Sequence, residues 1–93
     1  MSWGERRDAM LVALVADGWD TEDWTVDEDG DLICSLENGF CRIEAYSGWY
    51  EVHLEEGWYQ QHGEADSPEY AIRLMTAMGA AGEALNTSLD SAR

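Results

Sequence analysis

From Trp24 to Leu54 apolar and polar side chains alternate, and three turn sequences interrupt the alternation: Glu28-Asp29-Gly30, Asn38-Gly39 and Ser47-Gly48. A period of two specifies strands with one face toward a core, and loops this short force neighbouring strands to run antiparallel. If Asn38-Gly39 is a two-residue loop, Leu36 faces Cys41, Cys34 faces Ile43 and Leu32 faces Ala45. Ser47-Gly48 continues the scheme, pairing Ala45 with Tyr50, Ile43 with Val52 and Cys41 with Leu54. Upstream, a three-residue Glu28-Asp29-Gly30 loop sets Val26 against Leu32 and Trp24 against Cys34, whereas a two-residue Asp29-Gly30 loop would send both Val26 and Trp24 to the polar face. Three turns that agree on one apolar face specify a meander, because a one-residue slip would turn every side chain over. The next turn, Glu55-Glu56-Gly57, is ambiguous: a two-residue loop buries Tyr59, a bulged one buries Trp58, and a short fifth strand near residues 58–62 is expected in either case.

Helical signals flank the meander. Ser2 and Glu5 have the S-x-x-E spacing of a capping box, Met10, Leu11, Leu14 and Val15 recur on one helical face, and Asp17-Gly18 ends the segment with Trp19 folding back on Leu14. Ser67-Pro68-Glu69 opens a second helix, with Ser at the N-cap and Pro at the first helical position. Its apolar stripe is Tyr70, Ala71, Leu74, Met75, Met78 and Leu85. The expected fold class is α+β, in two layers: a four- to five-stranded antiparallel meander with an N-terminal and a C-terminal helix packed on one face. Residues 1–86 form a single acidic domain and residues 87–93, which carry no pattern, a frayed tail.

Charge narrows the function. The chain has 20 Asp+Glu against five basic residues, all arginine, for a formal net charge of −15 over 93 residues. Such a field attracts basic partners and repels phosphate backbones and anionic membranes, so direct nucleic-acid binding is not expected. Disorder is the common fate of acidic chains, but 45% hydrophobic residues, five Trp and clear periodicity oppose it here. Adaptation to a high-salt cell is another source of acidity, which the five Trp oppose. No apolar run reaches the roughly 20 residues of a membrane span, and residues 1–5 lack the basic region of a signal peptide, so a cytoplasmic location in a host cell is expected.

Several constellations that carry chemistry fail on spacing or register. Cys34, Cys41, His53 and His62 could suggest zinc, but the cysteines point to the core while His53 lies opposite Arg42 on the other face, and no C-x₂-C or H-x₃-H knuckle is present. In the register above the two cysteines are diagonal, which favours buried free thiols over a disulfide. A calcium loop beginning at Asp27 would need Gly at position 32 and Glu at 38, which are Leu and Asn; adventitious binding of a divalent cation is the most this hairpin tip suggests. No nucleophile and base share a loop tip. Glu44 and Glu51 are cross-strand neighbours, but an open sheet face offers no desolvated site for acid–base work. Neither an enzyme, a cofactor nor a metal is expected.

Two surfaces remain. The polar face of the meander should carry Ile33, Phe40, Arg42, Glu44, Tyr46, Trp49, Glu51 and His53, with Trp58 a further candidate and Tyr46 facing Trp49 beside the Ser47-Gly48 turn. Large aromatics rimmed by carboxylates suit a protein-binding patch, though the same pairs can simply stabilise a sheet, or be covered by the tail or a second copy. The other surface is an acidic edge, eight Asp and Glu within residues 17–31. Carboxylates at alternate strand positions recur every ~6.6–7 Å and can imitate a row of phosphates. A solvated charge run is the plainer reading.

The segment Trp24-Thr25-Val26-Asp27-Glu28-Asp29-Gly30, followed by the meander and an Ala/Met-rich terminal helix, resembles some small acidic anti-CRISPR proteins of phages and mobile elements in organisation over residues 19–85. These inhibitors share no common motif, so the resemblance carries over no residue roles. It implies an inhibitor that occupies the nucleic-acid-binding surface of its target, in effect a DNA mimic. The partner expected from charge is a basic protein surface, engaged by Asp20, Asp23, Asp27, Asp29 and Asp31 together with Glu44, Tyr46, Trp49 and Glu51. The alternatives are a structural or adaptor subunit, such as a phage particle component or a homodimer assembled through the aromatic face, and an immunity protein against a basic toxin.

Overall fold

The computed structural model describes residues 3–91. Helix α1 (Trp3–Ala16) is followed by a 3₁₀ turn (Thr21–Asp23), strands β1 (Trp24–Val26), β2 (Leu32–Leu36), β3 (Gly39–Ala45), β4 (Tyr50–Glu56) and β5 (Tyr59–Ala65), and helix α2 (Pro68–Ser91). The five strands form one antiparallel sheet in sequence order, and both helices lie on one side of it: α2 along β4 and β5, α1 against β3 and α2. The fold is the α+β meander expected, with β5 present and longer than expected. Ser2, the N-cap expected for α1, lies outside the described residues. No helix among the described residues is long and apolar enough to cross a membrane.

Local chemistry explains the element ends. At the end of α1, Gly18 N–H donates to Val15 O (3.0 Å) and Trp19 N–H to Leu14 O (3.0 Å), the paired bonds of a Schellman ending. Ser67 caps α2, its Oγ accepting from Tyr70 N–H at 3.2 Å. In the β1–β2 loop Gly30 has φ +84°, the left-handed conformation that a three-residue hairpin loop needs, and the expected pairs Val26↔Leu32 and Trp24↔Cys34 form. The Ser47-Gly48 hairpin also forms as expected, with Ala45↔Tyr50, Ile43↔Val52 and Cys41↔Leu54.

The Asn38-Gly39 hairpin differs. Its loop is Glu37-Asn38, and the pairs are Leu36↔Gly39, Cys34↔Cys41 and Leu32↔Ile43, two residues from the expected register. Gly39 is required for another reason than a positive φ: a Cβ there would stand 1.9 Å from Glu55 O on β4. Because the shift is two residues and not one, the buried face is unchanged. Cys34 and Cys41 are nevertheless direct neighbours, both free and buried, so the diagonal offset invoked against a disulfide does not exist. The last hairpin has the two-residue loop Gly57-Trp58, leaving Tyr59 half-buried and Trp58 69% exposed.

The core is built from Met10 and Leu14 of α1, alternate residues Trp24, Leu32, Cys34, Cys41, Ile43, Tyr50, Val52, Leu54 and Ala65 of the sheet, and Ala71, Ile72, Met75 and Met78 of α2. Tyr50 ties α1 down, its hydroxyl donating to Arg6 O at 2.7 Å while the Arg6 guanidinium lies 4.9 Å from its ring centroid. Some expected core residues are exposed. Val15 sits at the rim of α1, Val26 on the short edge strand, and Tyr70 and Leu85 beyond the strip of α2 that meets the sheet. Ile72 takes a buried place that the helical stripe did not assign it.

Helix α2 also runs through the segment expected to fray. Asn86 explains part of that: its Nδ2 donates to Glu56 O (2.7 Å) and Gly82 O (2.9 Å), and its Oδ1 accepts from Trp58 N–H (2.9 Å). One side chain thus fastens the last turns of α2 to the β4–β5 hairpin.

Candidate protein-binding surface

The side of the sheet away from the helices carries the residues that the alternation assigned to it. Phe40, His53 and His62 line up across β3, β4 and β5, with stacked rings 5.8 and 6.4 Å between centroids. Tyr46 and Trp49 flank the Ser47-Gly48 turn with centroids 4.2 Å apart and planes 11° from parallel. Tyr46 N–H donates to Trp49 O at 2.9 Å, which fixes both rings at one end of the face. The cysteines open to the opposite side, so Cys34, Cys41, His53 and His62 do not come together.

Beside the aromatic stack runs a line of carboxylates. Glu44 is directly opposite Glu51, and Glu51 directly opposite Glu64. One step past the last β2–β3 pair, Leu32↔Ile43, the register brings Asp31 opposite Glu44. Asp27 is in turn joined to Asp31, Asp27 N–H donating to Asp31 O at 3.0 Å. Asp27, Asp31, Glu44, Glu51 and Glu64 therefore form one row across the whole sheet, spaced at about the 4.8 Å between adjacent strands. The acidic edge and the aromatic–acidic patch, separate in the sequence, meet at Asp31 and Glu44.

The electrostatics agree with that geometry. The Asp31 carboxyl is pushed above its ordinary 3.8, first by burial and then by Glu44 and Asp27, with Arg42 opposing. The Tyr46 phenol, which donates to a Glu44 carboxylate oxygen, is pushed up to about 12 by that hydrogen bond, then by burial and by the charges of Glu44, Glu51 and Asp31. Counter-charge on the face is sparse. Arg42 Nε stands 3.1 Å from Glu44 Oε1, as an electrostatic contact without hydrogen-bond alignment. His62 Nδ1 lies 3.9 Å from Glu51 Oε1 and His53 Nε2 3.5 Å from Glu55 Oε1. Like charges directly opposed across strands destabilise a sheet, so the row costs the fold stability.

The remaining expected site residues divide. Asp27 accepts from Asp29 N–H and Asp31 N–H, both at 2.9 Å, which shapes the hairpin tip. Carboxylate oxygens of Asp27, Asp29 and Asp31 lie within 4.8 Å of one another, the group among the described residues best placed to hold a divalent cation. Asp20 caps the 3₁₀ turn, accepting from Glu22 N–H at 3.1 Å, and Asp23 ends that turn. Neither belongs to the row. Glu64, Asp66 and Tyr70 were not expected at the surface site. With Trp49 they line an open cleft of about 460 Å³ where β5 passes into α2. Glu64 could not be placed without the β5 register, and Tyr70 reads as core by helical period alone. Comparison with protein-family models, with curated proteins and with solved structures found no match to this chain.

Proposed function

We propose that the protein is an acidic inhibitor that binds the basic nucleic-acid-binding surface of a target protein, an anti-CRISPR or similar anti-defence protein acting as a partial DNA mimic. The observation that carries the reading is the row Asp27, Asp31, Glu44, Glu51 and Glu64 on a net charge of −15. Self-repulsion along such a row is relieved when a cationic surface covers it, so its cost to the free fold becomes a gain on binding. Tyr46, Trp49 and Tyr70 supply anchors at one end, where an Arg or Lys can lie against an aromatic face with Glu64 and Asp66 beside it. The protein binds and excludes; it catalyses nothing.

A homodimer through the same face is the second reading, favoured by the Phe40–His53–His62 stack at its centre. It brings two acidic rows into opposition, which charge disfavours. Sedimentation at low and high salt separates the two: a monomer is expected, and a stable dimer lost on Phe40→Ala would support the second reading.

The direct test is binding to a panel of purified basic nucleic-acid-binding proteins, CRISPR effector complexes among them. The triple change Asp31→Asn, Glu51→Gln, Glu64→Gln should raise the thermal midpoint of the free protein and weaken its binding at least tenfold. If the variant binds its target as tightly as the parent, the row is not the interface.

A further inference from the structure

At one end of the outer face, the register continues one step past the last β4–β5 pair, Tyr50↔Ala65, and sets Trp49 opposite Asp66. Glu64 lies two residues back along β5, on the same side of the sheet. Both acids line the open cleft of about 460 Å³, together with Trp49, Ala65 and Tyr70. Tyr46 lies against one face of the Trp49 indole, with centroids 4.2 Å apart, and does not itself line the cleft. Trp49 is therefore backed on one side and open to the cleft on another, while Tyr70, 47% exposed, forms a second aromatic wall. Among the described residues neither carboxylate has an ion pair, and no basic side chain lines the cleft. The N-terminus of α2 adds a positive partial charge of roughly one half, which Glu64 and Asp66 outweigh and which Glu69 in the first turn opposes further.

We propose that this cleft is a guanidinium subsite, taking one arginine side chain of the basic partner, stacked against Trp49 with its charge between Glu64 and Asp66. An arginine donor presupposes, and so rests on, the basic partner proposed above; the subsite itself can be tested without that partner. Charge and wall chemistry set the class together. Two carboxylates without ion pairs, in a field of −15, call for a cation, and two aromatic walls call for one that lies on a ring. A guanidinium is planar, weakly hydrated and stacks on aromatic faces, whereas an ammonium is a compact charge that holds its water. In a cleft open to solvent nothing forces that water away, so arginine gains the ring contact and lysine keeps its hydration. The fork of N–H donors also suits carboxylate partners, which a point charge does not distinguish by geometry. The aromatic wall is held ready: Tyr46 N–H donates to Trp49 O at 2.9 Å and the Tyr46 hydroxyl donates to Glu44, so the indole needs little ordering on binding.

Three blocked tripeptides, glycine-arginine-glycine, glycine-citrulline-glycine and glycine-lysine-glycine, separate charge from shape, since citrulline is the neutral counterpart of arginine. Each is titrated into the full chain at about 0.1 M salt, with the Trp49 indole N–H followed by NMR. The arginine peptide should shift Trp49 saturably and bind roughly threefold more tightly than the lysine peptide, and the citrulline peptide should not saturate. The double change Glu64→Gln, Asp66→Asn should weaken the arginine peptide about fivefold. Glu22→Gln with Glu83→Gln removes the same charge from exposed positions on the 3₁₀ turn and α2, and should change the affinity less than about twofold. No saturable shift overturns the subsite. Equal binding of the arginine and citrulline peptides means the carboxylates play no part and overturns it too, and equal binding of the lysine peptide overturns the choice of arginine. Equal weakening in the two double variants means attraction to the overall charge only and overturns the site. The peptides carry no nucleic-acid-binding surface, so the two readings fail separately: a saturable arginine site with no target bound sinks the inhibitor reading alone, and target binding without the arginine site sinks the subsite alone.

Discussion

Asn86 joins three backbone groups from two elements, Glu56 O, Gly82 O and Trp58 N–H, through one amide. Asn86→Ala should cost about 1–2 kcal/mol in denaturant unfolding, because the Trp58 N–H and Glu56 O lose a fixed partner. Asn86→Asp should cost at least as much, since a carboxylate offers no donor to either carbonyl. Tyr46 offers a spectroscopic check at the same scale. Its folded phenol is held near 12, above the ordinary 10.0, so the folded state keeps a proton that the unfolded state loses between those values. Stability from this group is intact below pH 10 and lost as pH rises toward 12. Absorbance titration should show Tyr46 ionising near 12 in the parent and closer to 10 in Glu44→Gln. Asp31 has the same sign in a lower window: its carboxyl is also raised, so its contribution is present below 3.8 and is lost as pH rises above that value, and at neutral pH the ionised form burdens the fold. The roles of Asn86 and Asp31 do not show in the linear sequence, because Glu56, Trp58 and Glu44 come to them from other elements.

Hairpins were the most legible elements, and the one misassigned turn shows the limit. Alternation of side chains determines which face is buried, and it did so for every strand from Trp24 to Leu54 apart from the edge residue Val26. It cannot distinguish registers that differ by two, because both bury the same face. Asn38-Gly39 reads as the loop by its turn preference, yet Gly39 is demanded by β4 pairing closely beside it, a long-range contact that turn statistics do not contain. Gly39→Ala should therefore destabilise by about 3 kcal/mol, whereas Gly48→Ala, with no atom within 4 Å of the new Cβ and no positive φ, should change stability little. Paired thermal melts measure the contrast. The register of β5 was out of reach for a related reason: its residues Gln60, Gln61, His62 and Gly63 supply no apolar alternation, so its place depends on the loop Gly57-Trp58 and on packing under α2. With it went Glu64, and with Glu64 the continuity of the acidic row. The nine residues expected at the interface were read as two separate surfaces because the two-residue difference in the β2–β3 register is what sets Asp31 opposite Glu44.

At the scale of the whole molecule, charge opposes the fold that the core supports. Fifteen net negative charges on 93 residues repel one another, so the thermal midpoint at pH 7 should climb by several degrees from about 10 mM to about 0.2 M salt, as the screening length falls below the width of the sheet. A midpoint that stays level would mean the acids are far enough apart, or paired well enough, not to burden the fold. The same field is what a basic partner would find. The acidic row crosses one side of the sheet, from Asp27 and Asp31 beside the β1–β2 turn to Glu64 on β5, while both helices pack on the other, so the proposed partner surface and the core are separate. The most direct test of the account is displacement: a fluorescent DNA duplex bound to the tightest-binding member of the basic panel, titrated with this protein in a series from about 0.05 to 0.5 M salt. The protein should expel the duplex, and its affinity for the target should fall at least tenfold across the series. Simultaneous binding of duplex and protein, or an affinity unchanged at the highest salt, would contradict it.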